Sequence, residues 1–263
     1  MTGNTLLDLA VIDLAILMAC FLVERRSHRA GIVDAGWSLA IMASALYAGW
    51  VHVDADPLTR GFVAIAGGLW FGRLGLHLLR RYLAETHEDG RYARMRAASG
   101  RHAGLAFFLF FLFQAGLAWF FSLPLWALAR VPPAAWGDWH HLTLVLAAML
   151  MLLAWLGEVS ADAQLTRFRQ ETANRGRALR SGLWAWSRHP NYFCEWLHWL
   201  AYPLVGLSAG LYWLWLYPLF MFLFLYYITG IPFCEQQALR TRGDDYRRYQ
   251  QEVPMFFPRR PRP

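Results

Sequence analysis

Gly104-Leu-Ala-Phe-Phe-Leu-Phe-Phe-Leu-Phe-Gln-Ala-Gly-Leu-Ala-Trp-Phe-Phe-Ser-Leu-Pro-Leu-Trp-Ala-Leu-Ala129 contains no ionisable side chain. About 20 apolar residues in a helix cross the hydrocarbon core of a bilayer, so this stretch is long enough to span one. On either side of it the pattern repeats. Apolar stretches at 5–23, 31–52, 61–79, 140–158, 192–209 and 211–233 are each near that length. The fold expected is all-α: a polytopic integral membrane protein of seven transmembrane helices.

The composition agrees. Of 263 residues, 57% are hydrophobic and 16% charged, where a soluble domain carries about a quarter charged. The chain is read as a single membrane domain over 1–263. Residues 1–103 hold the first three spans and the substrate side, and 104–263 hold four spans and the cofactor-binding loops. The first apolar run lacks a basic leader and a small-residue cleavage site, so it is read as a span. Cys20, Cys194 and Cys234 show no metal or redox spacing and are read as small buried residues. No metal is expected.

Every one of the 25 basic residues is arginine. All but Arg60, Arg73 and Arg130 fall in 24–30, 80–102, 159–191 or the tail beyond 233, which are alternate loops of one side. The positive-inside rule then puts the N-terminus outside and the C-terminus in the cytoplasm of a bacterial inner membrane. The net charge of +7 is explained by these loops and by anionic lipid, without nucleic acid.

Function has to be sought in polar groups that lipid does not tolerate. Arg73 lies inside the third span. Asp34 opens the second, where helix capping and acid catalysis are equally good readings. Glu158, Asp162, Leu165 and Arg169 form one helical stripe, acidic at the membrane end and basic at the outer end. Asn191, Glu195, His198 and Tyr202 form another along the sixth span. Before that span, Arg188 and His189 flank a helix start set by Pro190, a combination suited to anions. The tail, 235–258, reads as an amphipathic helix with a Pro-bounded apolar end, able to close over a ligand.

Ser187-Arg-His-Pro-Asn-Tyr-Phe-Cys-Glu195 and Tyr246-Arg-Arg-Tyr-Gln-Gln-Glu-Val-Pro-Met-Phe-Phe-Pro258 resemble the superfamily of steroid 5-alpha-reductases, sterol C14-reductases and isoprenylcysteine carboxyl methyltransferases. Gly157-Glu-Val-Ser-Ala-Asp162, Arg169, Gly182-Leu-Trp and Asn191–Glu195 are closest to the steroid 5-alpha-reductases. Val33–Trp37 and Asp89-Gly-Arg-Tyr92 resemble their bacterial branch.

The resemblance implies a monomeric reductase that takes NADPH from the cytoplasm and reduces an enone C=C bond in a steroid-like or other hydrophobic lipid. It implies cofactor groups at Asp162, Arg169, Arg177, Asn191 and Glu195, with Arg73 and Arg91 near phosphate; Glu158, Arg188, His189 and Tyr246 are further cofactor-binding candidates from their stripe, helix start and tail. Asp34 falls close to the family's carbonyl-polarising acid, and Tyr192 is a second candidate acid. Two positions depart: Trp70 stands where the family has a tyrosine, and Glu158 where it has an asparagine. An S-adenosylmethionine-dependent lipid methyltransferase and a non-enzymatic lipid transporter remain the alternatives at this point.

Overall fold

The computed structural model describes residues 4–260, so Arg262 of the tail count lies outside the described residues. No strand occurs among the described residues. Among the described residues six helices are long and apolar enough to cross a membrane: Thr5–Ser27, Ile32–Val51, Pro57–Ala84, Gly90–Ala129, His140–Gln170 and Tyr212–Glu252. The stretch expected as a sixth span is instead two short helices, Pro190–Trp199 and Ala201–Gly206, interrupted at Leu200.

The chain divides into two compact units, one ending at Gly137 and the other starting at Asp138. In the first unit, α1 (Thr5–Ser27), α2 (Ile32–Val51), α3 (Pro57–Ala84), α4 (Gly90–Ser99) and α5 (Ala103–Ala129) follow in order. Helix α2 packs on α1, α3 and α5. Its apolar window is 61% buried against 17% for α1, so α2 is the centre of the unit. Its sequence fits that place. Ala40, Ser44, Ala45, Ala48 and Gly49 are small, and helices meeting in lipid approach through small residues. At Gly49 a Cβ would stand 2.9 Å from the Arg60 carbonyl oxygen, so only glycine allows this approach. Asp56 starts α3 by accepting the Thr59 amide at 2.7 Å, with Pro57 at the first helical position.

Polar side chains tie α1 into this unit. Ser44 donates to the fully buried Asp13 at 2.8 Å, and Tyr47 donates to Asp8. Trp126 Nε1 donates to Thr5 at 2.9 Å. Asp8 and Asp13 went unremarked in the sequence because the run around them is so apolar.

In the second unit, α6 (His140–Gln170) packs on α7 (Pro190–Trp199) and α8 (Ala201–Gly206). After α9 (Leu216–Leu223) and a π turn at Phe224–Ile228 comes α10 (Ile231–Glu252). The predicted tail helix is therefore present. It bends at Gly243, whose φ of 54° is left-handed and suits glycine. Cys194 is buried and Cys20 partly so, but Cys234 is exposed, which corrects its reading as a buried residue. It follows Gly230 in the first turn of α10.

Candidate functional site

In the first unit the chemistry gathers at the start of α2. Asp34 sits in the first turn, yet its carboxylate makes no capping bond. Instead Oδ1 accepts the Tyr92 hydroxyl at 2.7 Å, and Oδ2 accepts Arg91 Nη2 at 2.9 Å. Its carboxylate is thus used by Tyr92 and Arg91 rather than by the helix amides. Tyr92 is buried, with its ring against Phe110. Arg91 is also held by Asp89, which caps α4 through the Arg91 amide. The guanidinium expected near a phosphate is thereby engaged by two carboxylates.

The same loop is stapled further. Glu88 accepts the Ala30 amide at 3.2 Å and Arg96 Nε at 2.9 Å, and Arg96 reaches the buried Glu24 at 2.8 Å. Burial alone would raise the Glu88 carboxyl; Arg96 and the Ala30 amide outweigh it and hold the pKa below its ordinary value. Asp89 is lowered in the same way, by Arg91 and Arg81 against burial. Arg73 lies mid-α3, half-buried.

In the second unit three groups of polar residues separate clearly. The first is the α6–α7 junction. Glu158 and Glu195 are buried there, and Asn191 Nδ2 donates to Asp162 Oδ1 at 3.3 Å. Asn191 Oδ1 is buried without a hydrogen-bond partner. The two predicted stripes do face one another at this level. A close approach enables it: a Cβ on Gly157 would lie 2.6 Å from Cys194 Sγ. Further along, His198 at the end of α7 and Tyr202 in α8 are fully buried, with rings against Trp199, so the far half of that stripe is core.

The second group is centred on Glu235, which sequence reading passed over. It accepts Arg188 Nε at 2.9 Å and Nη2 at 3.2 Å, His189 Nε2 at 2.9 Å and the Tyr246 hydroxyl at 2.8 Å, together with Gln250. Arg188 also donates to the Val253 carbonyl at 2.7 Å. Burial pushes the His189 imidazole below its ordinary pKa despite the nearby carboxylate, so it is neutral at pH 7. The anion-binding expectation for Arg188, His189 and Tyr246 thus meets an internal acid that uses all three. The Tyr192 ring stacks on His189, centroids 5.6 Å apart, and its hydroxyl lies 3.4 Å from Cys234 Sγ.

The third group is a cleft of about 200 Å³ between the end of α6, the loop after it and α10. Arg169 and Arg177, both predicted, line it together with Arg175 and Arg242, which were not singled out. No acidic residue lines it. The available signal was Arg175-Gly-Arg177, a glycine between arginines in a loop.

An uncharacterized protein of Schizosaccharomyces pombe (strain 972 / ATCC 24843), C594.04c, is 28% identical over 253 residues, 86% of this chain and 72% of its own length. No solved structure matches the chain. The family described as "protein of unknown function (DUF1295)" matches over residues 20–253, and the chain belongs to that family.

Proposed function

We propose that the protein is an NADPH-dependent membrane reductase of the C=C bond of an enone in a steroid-like lipid. The observation that carries this reading is the buried, partnerless Asn191 Oδ1 beside Asp162, on the helix that runs outward to the arginine cleft. A buried unsatisfied polar atom costs about 1–3 kcal/mol, so this acceptor favours a ligand that brings an N–H or O–H. A dinucleotide carries such hydroxyls and amides at one end and phosphates at the other. The residues present fit it: Asp162 and Asn191 toward the membrane, Arg169 and Arg177 beyond.

NADPH, when bound, supplies the hydride that adds to the β carbon. The chain must polarise the carbonyl as negative charge develops on its oxygen, and a proton must reach the α carbon. The Asp34–Tyr92 pair is assigned the first task. Tyr92 supplies the phenol that Trp70 cannot. Its one O–H proton is given to Asp34 Oδ1 in this structure, so polarising the carbonyl requires the hydroxyl to turn to the substrate oxygen; Asp34, fixed from its other oxygen by Arg91, holds it in place until then.

Two measurements test the reading. Purified protein is expected to oxidise NADPH only when a 4-ene-3-keto steroid is supplied. Tight S-adenosylmethionine binding with no NADPH oxidation would end it. Tyr92→Phe keeps the ring packed on Phe110 and removes only the hydroxyl. Reduction is expected to slow by about 10²-fold or more, with NADPH affinity unchanged. A wild-type rate in that variant would remove Tyr92 from the chemistry.

A further inference from the structure

The geometry points to the cleft between the end of α6 and α10 as a binding site for a single phosphate monoester, with Arg175 and Arg242 among its ligands. This rests on the reductase reading only in naming the bearer of that phosphate, the ribose of NADPH.

The charge balance is the first argument. Arg169, Arg175, Arg177 and Arg242 border one small space, and no carboxylate lines it. Acids near it in sequence are committed elsewhere. Glu171 accepts Asn174 Nδ2 at 2.7 Å, and Asp245 accepts Arg180 Nη1 at 3.0 Å and the Ala178 amide at 2.6 Å. Asp244 pairs with Arg247 on the outer side of α10. Arg175, Arg177 and Arg242 are like charges in a lining that holds no acid, and an anion relieves their mutual repulsion. Arginine forks match the oxygens of phosphate.

The second argument is that the cleft is built. Asn174 Nδ2 also donates to the Phe168 carbonyl at 3.0 Å, folding the loop back on the end of α6. Gly176, in the lining, has a φ of 76° and places Arg175 and Arg177 on either side of a left-handed turn. On the opposite wall the left-handed Gly243 bends α10 just after Arg242. The Ala178 and Arg180 bonds to Asp245 lock the loop to that helix below the cleft. Both walls are thus fixed before any ligand arrives.

Size and position narrow the ligand. About 200 Å³ admits a phosphate group and a few further atoms, and not a whole dinucleotide. The apolar run of α6 ends near Glu158, and at 1.5 Å per residue Arg169 lies roughly 16 Å farther along the helix. A headgroup layer is only about 5–7 Å deep. The cleft therefore faces soluble phosphate compounds rather than lipid headgroups.

The test uses the full chain in detergent, with Arg175→Gln/Arg242→Gln as the variant and Arg247→Gln, on the outer side of α10, as control. Inorganic phosphate is the first probe, followed by calorimetric titration. It is expected to bind wild type and control saturably, and the double variant at least tenfold more weakly. Equal binding to all three overturns the site. NADPH and NADH are the second probe. Wild type is expected to prefer NADPH, and the double variant to lose that preference by weakening on NADPH alone. A preference that survives the double substitution removes the ribose phosphate from this cleft. Phosphate binding that is lost in the variant, in a protein that takes up neither nucleotide, keeps the site and overturns the reductase reading instead. Vesicles rich in anionic lipid that compete with phosphate would return the cleft to the membrane.

Discussion

Two arginine clusters of the second unit lie close together in sequence and have opposite characters. Arg188, with His189 beside it, is buried and satisfied by one internal acid, Glu235. Arg175 and Arg177 are exposed in a cleft that no acid lines. The first was expected to bind anions from its helix start; of the second, Arg177 was expected only as a cofactor group implied by the resemblance, and Arg175 not at all. The difference lies in what each charge meets after folding. A guanidinium matched by a buried carboxylate is already in its lowest state, and a second anion gains little there. A guanidinium without such a match keeps its capacity for a ligand. The first cluster fastens the tail helix to the start of α7; the second lines an open cleft.

Removing the matched acid is the severest way to break this comparison. Glu235→Ala leaves Arg188 buried without its counter-charge and strips His189, Tyr246 and Gln250 of an acceptor. Breaking a buried pair from one side costs about 3–5 kcal/mol. The expected outcome is a large loss of monodisperse protein and a much lower unfolding temperature. Arg175→Gln is expected to leave both within the scatter of wild type, as exposed substitutions do. Equal destabilisation by the two substitutions would erase the distinction between a fastening and an open cluster.

A smaller effect is expected at the α6–α7 junction, which is intermediate in character. Asn191→Ala removes one bond to Asp162 and one buried acceptor atom with no partner. Because that acceptor gains nothing from the fold, its loss is expected to cost little stability. Affinity for NADPH is expected to fall by about tenfold, the size of one good hydrogen bond. Unfolding temperature and cofactor affinity measured on the same preparation decide it. A stability loss with unchanged affinity would place Asn191 among the packing residues.

Most spans were legible because length and hydropathy act locally, as Gly104–Ala129 shows; 192–209 was not, since it breaks at Leu200 into two short helices. The two polar stripes were legible too, since helical periodicity aligns each, but that Asp162 and Asn191 meet was not. What sequence could not supply were partners brought together over long separations. Tyr92 reaches Asp34 across 58 residues, and Glu235 reaches Arg188 across 47. Arg91 was read as a phosphate ligand because nothing local shows that Asp34 claims it. Asp13 escaped because one carboxylate hardly alters the average of the apolar run around it. Glu235 carried one faint signal, as the first acid after Glu195 in a long stretch of apolar chain.

The smallest expected effect concerns the matched charges of the first unit, which extend the same comparison to a partly exposed setting. Glu88 is held ionised below its ordinary pKa by Arg96 and the Ala30 amide, against the opposing effect of burial. An acid whose pKa is lower in the folded state contributes stability that is fully present above its unfolded value, about 4.3 for Glu. That contribution is lost as pH falls through the lower, folded value. Unfolding temperature is therefore expected to stay level from neutral pH down to about 5, and then to decline. Glu88→Gln keeps an oxygen for the Ala30 amide and removes only the charge facing Arg96. It is expected to lower stability at pH 7 by under about 1 kcal/mol, as for a partly exposed pair, and to make the acid-side decline shallower. The double substitution Glu88→Gln/Arg96→Gln separates the pair from its surroundings. A coupling near zero at pH 7 would mean that Glu88 serves the loop through the Ala30 amide alone. A coupling that is present at pH 7 and gone at pH 3 would identify a matched charge that holds the loop against the start of α2, on which the placement of Tyr92 beside Asp34 depends.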